Sequence, residues 1–201
     1  MSHNIYNTQG IILDSFGIGE ADKLFRIFTR ELGLIEATAQ GIRKIESKNR
    51  YGLQDFSISD ISLVRGREVW RITNVIPQEN LFSVFSVNFV VGKINGKFET
   101  LLNVFSLLKQ LIHGEERNEN LFDLIIDGID FLKNNDLKNN NLENFEILMK
   151  IKILYNLGHF DKSEFVDLLD KNLSLDLVEK TGLEKEKIKR EIQKAIEETQ
   201  F

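Results

Sequence analysis

Residues 33–41 read GLIEATAQG, and this stretch decides the fold of the N-terminal part of the chain. Every second position from Ile35 to Ala39 is apolar, and the positions between them are polar. A period of two is the pattern of a strand with one buried face. Working outward from this stretch, similar runs predict four more strands, at residues 6–13, 23–29, 56–64 and 69–75.

The last two predicted strands flank Arg65-Gly66-Arg67, which is predicted to be a hairpin turn because glycine accepts a positive φ. The apolar phase of the first of them switches between Ile58 and Ile61. A bulge near Ser59 and Asp60 would restore the register, and small barrels use bulges to bend their strands. Five short strands with this spacing predict a small closed barrel.

The second half of the chain has a helical period. Pro77, the only proline, is predicted to end the strand region, and apolar residues recur at helical spacing from about Leu81. Helices are predicted from about residue 81 to 108, with Gly92 and Gly96 loosening the pattern, and at 120–134 and 142–157. Two capping boxes, Asp161 with Glu164 and Thr181 with Glu184, predict helices at 162–172, 174–181 and 184–199. The predicted fold is therefore α+β in two domains, a β-barrel in residues 1–80 and an all-α domain in residues 81–201.

Composition limits the possible functions. The chain has 201 residues and no cysteine, so disulfides and thiolate metal sites are impossible. There is no signal-peptide pattern, and the longest uncharged run in the apolar middle, residues 80–92, is too short for a membrane span. We expect a cytoplasmic protein that does not cross a membrane.

The net charge of −5 is unevenly distributed. Residues 1–80 contain ten basic and ten acidic side chains, which leaves the other sixteen basic and twenty-one acidic side chains in residues 81–201. A nucleic-acid surface is therefore expected in the first part, as a local basic patch.

Motifs for catalysis and cofactors are incomplete. Gly17-Ile18-Gly19 lacks the third glycine of a dinucleotide fingerprint, and residues 92–97 lack the spacing and the hydroxyl residue of a phosphate loop. Asp123, Asp127 and Asp130 share one helical face, which is more simply a solvated face than a cation site. The three histidines show no paired spacing. We therefore expect no enzyme activity, no cofactor and no metal.

A basic loop, residues 41–50, lies between the third and fourth predicted strands and contains Arg43, Lys44, Lys48 and Arg50. Such a loop can follow a phosphate backbone, with affinity that falls as salt rises. Aromatic residues on the barrel, among them Phe16, Tyr51, Phe56 and Trp70, are candidate stacking faces for unpaired bases. The alternative is that the loop only solubilises the fold and the aromatics fill the core, and Phe25, Ile35 and Trp70 are predicted to be core. These residues alone leave both possibilities open.

Several segments in series resemble the N-terminal domain of the RecO family. They are Gly10-Ile11-Ile12-Leu13, Gly19-Glu20-Ala21-Asp22-Lys23-Leu24, Phe28-Thr29-Arg30-Glu31-Leu32-Gly33, Gly41-Ile42-Arg43-Lys44 with Ser47, and Leu53-Gln54-Asp55-Phe56 through Arg65-Gly66-Arg67. The resemblance covers about residues 5–80. The helical half resembles the family mainly in architecture, with residues 154–158 as its best local match.

The resemblance implies an OB-fold barrel and a non-enzymatic mediator of DNA repair and recombination. Such a protein binds single- and double-stranded DNA, anneals complementary strands, works with single-strand-binding protein and cooperates with RecR to load recombinase. The DNA-contacting loop of the family maps by motif position onto Arg43, Lys44, Lys48 and Arg50. Charge alone adds Arg26, Arg65, Arg67 and Arg71 as further DNA-binding candidates.

The chain also departs from the family pattern. It lacks the cysteine zinc module that many members carry in the helical domain, and the helices predicted at 162–181 occupy that region. Gln40 and Glu46 stand where basic residues are frequent, which predicts weaker DNA affinity. Because the helical half is acidic, we do not expect it to bind the acidic tail of single-strand-binding protein in the way the family resemblance would imply.

Two other functions remain open. Residues 177–183, followed by Lys185, Ile188 and Lys189, resemble a helix-turn-helix with Gly182 in the turn, which would indicate a DNA-binding regulator. A terminal helical hairpin that packs on the bundle is the simpler interpretation of this segment. The other alternative is a protein-only adaptor, which predicts no salt-sensitive DNA affinity.

Overall fold

The structure, a computed structural model, describes residues 4–85, 95–160 and 165–199. The chain divides into two compact units. One comprises Met1–Val87 together with Ile112–Phe122, and the other comprises Asn88–Leu111 and Asp123–Phe201. The domain boundary at residue 80 stays a prediction, but the contacts group a short segment from the second half of the sequence with the strands.

The first unit is built on five strands that close into a barrel. They are β1 Ile5–Ile18, β2 Asp22–Thr29, β3 Gly33–Ala39, β4 Ser57–Arg65 and β5 Trp70–Asn80. Their order around the barrel is β1-β2-β3-β5-β4, and β4 pairs with β1 to close it. Only β3 and β5 pair in parallel, through two residue pairs; the other pairings are antiparallel. The predicted five-stranded OB-fold barrel followed by helices is confirmed.

Alternate residues of the strands fill the barrel. The burial of β3 follows the period-two pattern read from residues 33–41, with Ile35, Ala37 and Ala39 inward. Phe25, Ile35 and Trp70 are buried, as predicted, and pack in one cluster with residues from all five strands. Burying a large apolar side chain contributes about 1.5–3 kcal/mol each, so this cluster is the main source of barrel stability.

The strands differ from the predicted ranges where the barrel has to close. β1 is 14 residues long, because an irregularity between Ile12 and Asp14 bends it and lets it pair with β4 at one end and with β2 at the other. Bulges increase strand bending and twist, which a closed barrel requires. The bulge predicted near Ser59 and Asp60 is wrong in its strand. At the register shift between Ile58 and Ser59 the extra residue is Gln78 of β5, and β4 keeps one inward phase through Ser59, Ile61 and Leu63.

Two turn predictions were wrong in their physical reason. Pro77 does not end the strand region: it lies inside β5 opposite Ser59, at the register shift, where the missing N–H of proline is tolerated. Gly66 does connect β4 and β5 but does not adopt a positive φ. A Cβ at residue 66 would lie 2.2 Å from the carbonyl oxygen of Val69, so glycine is needed there for close approach.

The remaining elements are helices. They are α1 Leu81–Phe85, α2 Gly96–Leu111, α3 Glu119–Asn134, α4 Asn139–Asn156, α5 Val166–Leu169, α6 Leu175–Leu183 and α7 Lys185–Glu198. In the helical unit α4 is central: it contacts α2, α5, α6 and α7 and has buried residues on all sides. Phe131 and Phe145 stack with ring centroids 5.5 Å apart. None of the described helices is long and apolar enough to cross a membrane.

A buried lysine fastens the region after α4. The ammonium of Lys152 donates hydrogen bonds to the carbonyl oxygens of Leu169 and Lys171, each at 2.9 Å. Burial lowers the pKa of Lys152 from its usual value. These carbonyls lie at the C-terminal end of α5, where helix carbonyls have no partner within the helix and favour a positive charge.

The C-terminal helices begin at other residues than the capping boxes predict. Thr181 does not cap a helix: it is buried inside α6, and its hydroxyl donates to the carbonyl of Leu177 at 2.8 Å. The N-cap of α6 is Ser174, whose side chain accepts a hydrogen bond from the N–H of Leu177. The other predicted box, Asp161 with Glu164, lies outside the described residues.

Candidate nucleic-acid interface

The basic loop of residues 41–50 forms an arch with both ends anchored in the barrel. Ile42, at its start, and Leu53, just after its end, are buried in the barrel core. The Ser59 hydroxyl donates a hydrogen bond to the carbonyl of Gly52 at 2.7 Å. A Cβ at Gly52 would lie 2.5 Å from Val75, so the chain passes directly over β5 at this point. The cations of the loop are therefore presented from fixed ends.

The first half of the loop is bound to the turn between β1 and β2. The N–H of Gly41 donates to Asp22 Oδ1 at 2.8 Å, and the N–H of Arg43 donates to the carbonyl of Ala21 at 2.9 Å. The guanidinium of Arg43 donates to the carbonyl of Gly19 at 3.0 Å. A guanidinium has five N–H donors, so this bond positions Arg43 without exhausting its donors.

The second half of the loop presents the other cations to solvent. A short 3₁₀ helix, Lys48–Arg50, contacts β5, and the N–H of Arg50 donates to the carbonyl of Ser47, which continues a series of turns that begins at Gly41. The side chains of Lys44, Lys48 and Arg50 are exposed, as is Arg43. The four loop cations predicted from the family motif therefore all lie on the solvent side of the arch.

A row of outward-facing residues crosses four strands next to the first half of the loop. Phe16 on β1 pairs with Leu24 on β2, Leu24 with Thr38 on β3, and Thr38 with Arg71 on β5. Residues directly opposite in a sheet point to the same face. Phe16 and Arg71 are exposed, and Leu24 and Thr38 are half-buried. Gly17 lies beside Arg43: a Cβ at residue 17 would lie 3.7 Å from its guanidinium.

Arg26 joins this row through Phe16. Its guanidinium lies 5.4 Å from the centroid of the Phe16 ring, within cation–π range. It also pairs with the carboxylate of Glu36 on β3 at 3.4 Å. The structure thus brings Arg26 and Arg71 to the outer face that carries Phe16, binds Arg43 to the turn at the end of the same β1–β2 hairpin, and places one carboxylate against Arg26.

Arg65 and Arg67 lie at the hairpin between β4 and β5. The guanidinium of Arg65 lies 4.7 Å from the centroid of the Trp70 ring and forms an ion pair with Glu115. Trp70 in turn contacts the ring of Tyr6 edge-on, with centroids 5.1 Å apart. Arg67 is exposed in the hairpin turn.

The candidate stacking aromatics differ in their exposure. Phe16 is 48% exposed and Tyr51 is 75% exposed, so bases can reach both rings. Trp70 is buried, with 4% of its surface accessible, and cannot stack on a base without rearrangement. Phe56 is half-buried at a φ of 65°, held by hydrogen bonds to Ile12 and from Leu81.

One contact of this surface, between Arg26 and Phe16, and one residue, Glu115, were not predicted from the sequence. The contact between Arg26 and Phe16 depends on the strand register, because these residues are ten positions apart on different strands. Glu115 comes from a segment 50 residues beyond its partner Arg65. In the sequence Glu115 is only one of two adjacent acidic residues, Glu115 and Glu116, and no periodic pattern around them predicts a contact with the barrel.

Acidic clusters offer no metal site in the described ranges, where no group of three or more His, Cys, Asp or Glu side chains is arranged to hold an ion. Asp130, one of the three aspartates noted on α3, pairs with Lys133 at 2.6 Å.

The helical unit contains an open groove of about 590 Å³ between α2, α4 and α7. Both lysines that line it are paired with glutamates of α4 that also line it: Lys150 with Glu146 at 2.6 Å, and Lys189 with Glu143 at 2.8 Å. Hydrogen bonds from Lys185 and Lys189 lower the pKa of Glu143 to about 2. The positive charges of the groove are therefore already balanced.

The same contacts bear on the helix-turn-helix alternative. A single residue, Glu184, separates α6 from α7, whereas that motif has a turn of about three to four residues. Gly182 lies in α6, packed against Asn144, and Lys185 and Lys189 face Glu143. The start of α7, which would enter a DNA groove, is thus packed on α4.

Comparison with known proteins identifies the barrel. Residues 1–80 match the protein family described as "Recombination protein O N terminal". The chain is 34% identical over 76 residues to the DNA repair protein RecO of Desulfitobacterium hafniense (strain DSM 10664 / DCB-2), which covers 38% of this chain and 28% of that protein.

Longer alignments extend into the helices. The chain is 28% identical over 125 residues to the DNA repair protein RecO of Alkaliphilus metalliredigens, covering 57% of this chain and 51% of the relative. It is 29% identical over 125 residues to the DNA repair protein RecO of Mesoplasma florum, and this alignment covers 60% of this chain and 44% of the relative. The chain therefore aligns with about half, or less, of the length of these relatives.

Proposed function

The chain is a RecO-family protein through its N-terminal domain, and on this premise we propose that it is a DNA repair and recombination mediator that binds single-stranded DNA on the barrel. The observation that carries the proposal is the fixed basic loop, whose Arg43 is hydrogen-bonded to the β1–β2 turn that follows the strand carrying Phe16. Cations for the phosphate backbone and an exposed ring for a base, Phe16, are thus both joined to the β1–β2 hairpin.

Binding would take place in two parts. Arg43, Lys44, Lys48 and Arg50 would bind phosphates, which orients the strand without reading its sequence. Phe16 and Tyr51 would stack with unpaired bases, an interaction that all four bases can make. OB-folds bind oligonucleotides on the face of strands 2 and 3 and with the flanking loops, the same region of the barrel that carries Phe16, Arg26 and Arg71.

Annealing follows from loose, sequence-independent binding. A strand bound through its phosphates keeps its base edges available, so a complementary strand can search for its pairing register. No covalent step or nucleotide hydrolysis is needed. We propose that the protein promotes annealing of complementary strands in this way and binds double-stranded DNA through the same cations.

Partner binding is assigned to the helical half. We propose RecR and single-strand-binding protein as partners in recombinase loading, as the family resemblance implies. The balanced charges of the groove between α2, α4 and α7 support the expectation that the acidic tail of single-strand-binding protein is not bound in the familiar way. Pull-down of each purified partner, at low and at high salt, tests this assignment.

The central experiment is fluorescence anisotropy with an unstructured oligonucleotide across a salt series. Wild type is compared with a variant in which Arg43, Lys44, Lys48 and Arg50 are alanine. Each phosphate contact contributes roughly 0.7 to the slope of log K against log salt for single strands, so the variant should lose a slope of about three along with its affinity.

A control variant with the same charge change carries alanine at four exposed basic positions of the helical unit, Lys171, Lys180, Arg190 and Lys194. It should bind like wild type. If instead the control loses binding and the loop variant retains it, a DNA site on the C-terminal helices replaces the barrel site. If wild type does not bind at low salt, the proposed DNA binding is wrong and the protein-only adaptor becomes the leading alternative.

A further inference from the structure

Arg65 is held in a fixed orientation by a buried ring. Its guanidinium lies 4.7 Å above the Trp70 ring, which is itself buried and contacts Tyr6 edge-on. The Arg65 side chain is about half exposed, at 49%, so one side faces the protein and the other faces solvent. An arginine oriented in this way is prepared to bind an anion.

The anion that it binds in the free protein is the carboxylate of Glu115. Glu115 belongs to Ile112–Phe122, the segment from the second half of the sequence that packs with the barrel unit. Leu121 and Phe122 are fully buried, and the Phe122 ring lies 5.5 Å from that of Phe28 on β2.

The backbone of this segment is also fixed at the residue that directly follows Glu115. The backbone atoms of Glu116 pack directly on Gly33, where a Cβ would approach to 2.2 Å. The guanidinium of Arg30 lies 5.3 Å from the Phe122 centroid. Glu115 is therefore carried to Arg65 by a segment with its own attachments to the barrel.

We propose that Arg65 is a phosphate-binding residue whose anion position is occupied in the free protein by Glu115. Guanidinium groups bind carboxylates and phosphates through the same planar donors, so a phosphodiester can take the place of the carboxylate. Both side chains are partly exposed, and ion pairs of this kind are weak, so the exchange is readily reversible. Glu115 thereby lowers DNA affinity, so that a bound single strand stays free to anneal with its complement. This inference rests on the proposed DNA-binding function.

The test compares Glu115→Gln with Glu116→Gln, both measured by anisotropy with the same unstructured oligonucleotide at low salt. The two substitutions remove the same charge from adjacent exposed positions, but only the first removes the partner of Arg65. Because surface ion pairs are weak, Glu115→Gln should tighten binding by about two- to fivefold, and Glu116→Gln should have a clearly smaller effect. In an Arg65→Gln background, the gain from Glu115→Gln should disappear.

Each contrary result has a distinct meaning. Equal tightening by both single variants would show a general effect of net charge and overturn the proposal. Tightening that persists with Arg65→Gln would also overturn it, since Glu115 would then act elsewhere. If wild type binds DNA and Glu115→Gln does not tighten binding, only this inference fails. If neither wild type nor Glu115→Gln binds, the proposed function fails with it. Thermal unfolding of every variant checks that the fold is retained.

Discussion

Gly33 packs so closely on Glu116 that a Cβ at residue 33 would lie 2.2 Å from the Glu116 carbonyl oxygen. The two backbones are in direct contact: Gly33 is the first residue of β3, after the turn that follows β2, and Glu116 lies in the segment that follows α2. The contact fastens Ile112–Phe122 to the barrel and needs both a residue without a side chain and a φ of 70°.

Gly33→Ala should be strongly destabilising. The left-handed backbone costs a residue with a Cβ roughly 1–2 kcal/mol, and displacing the Glu116 backbone adds to this, for an expected total of about 2–4 kcal/mol. Gly19→Ala is the matched control, because its φ is 58° but a Cβ there has open space. Gly19→Ala should lower the free energy of unfolding by the backbone cost alone, roughly 1–2 kcal/mol. Urea unfolding measures the free energy of unfolding of both variants, and equal losses of stability would rule out the backbone contact as the cause.

Ile42→Ala should lower both stability and DNA affinity. Ile42 is buried in the barrel core at the start of the basic loop, so its truncation should cost about 2–5 kcal/mol and release the anchor of Arg43. Ile45→Ala changes the same residue type three positions later, where the side chain is 88% exposed, and should stay within about 0.5 kcal/mol. Thermal unfolding and anisotropy should separate the two variants. Similar behaviour of both would show that the loop is not anchored through Ile42.

Trp70→Phe should change stability little. The indole N–H of Trp70 is buried and has no hydrogen-bond acceptor among the described residues, so its removal relieves about 1–3 kcal/mol of desolvation. The smaller ring leaves a cavity whose cost is of similar size, and the net change should be within roughly 1 kcal/mol. Trp70→Ala, which also removes the ring under Arg65, should cost about 3–5 kcal/mol. A loss with Phe as large as that with Ala would indicate that the N–H has a partner, such as a bound water.

Glu143 should contribute to acid sensitivity. Hydrogen bonds from Lys185 and Lys189 lower its folded-state pKa from 4.5 to about 2. A lowered carboxyl pKa stabilises the folded state above the unfolded value, and this stabilisation is lost as pH falls from about 4.5 toward 2. The side chain is 43% exposed, so solvent screening limits the contribution to about 1 kcal/mol or less.

The measurement is the difference in Tm between wild type and Glu143→Gln. It should be present at pH 7, shrink between pH 4.5 and 2, and decrease in 1 M salt, because screening weakens the pairs with both lysines. A difference that is independent of pH would mean that Glu143 acts through packing.

Local pattern predicted the elements well where each residue pairs with near neighbours or follows a simple period. The alternation in residues 33–41 was confirmed, whereas the irregularity predicted in β4 near Ser59 lies in β5, at Gln78. The capping box at Thr181 failed although its residues match the pattern, because packing buries Thr181 inside α6 and its hydroxyl bonds to Leu177 instead. A capping pattern is short, and tertiary contacts override it.

The candidate site could be predicted in part. The sequence located the four loop cations, and the structure leaves all of them exposed. It predicted that Trp70 is core, but it could not rank the other aromatics, because exposure depends on the direction of each side chain in the closed barrel: Phe16 and Tyr51 face solvent, and Phe56 is half-buried.

The sequence by itself determined the class of fold, the strands of the barrel, the basic loop and the likeness to the RecO N-terminal domain, because periodicity, turn residues and motif order are local properties of a chain. Only the tertiary structure decided that Arg26 lies over Phe16, that Arg43 is hydrogen-bonded to the β1–β2 turn, and that Glu115 forms an ion pair with Arg65. These contacts join residues 10, 24 and 50 positions apart. They arise from strand register and from the packing of Ile112–Phe122 on the barrel, which no local pattern encodes.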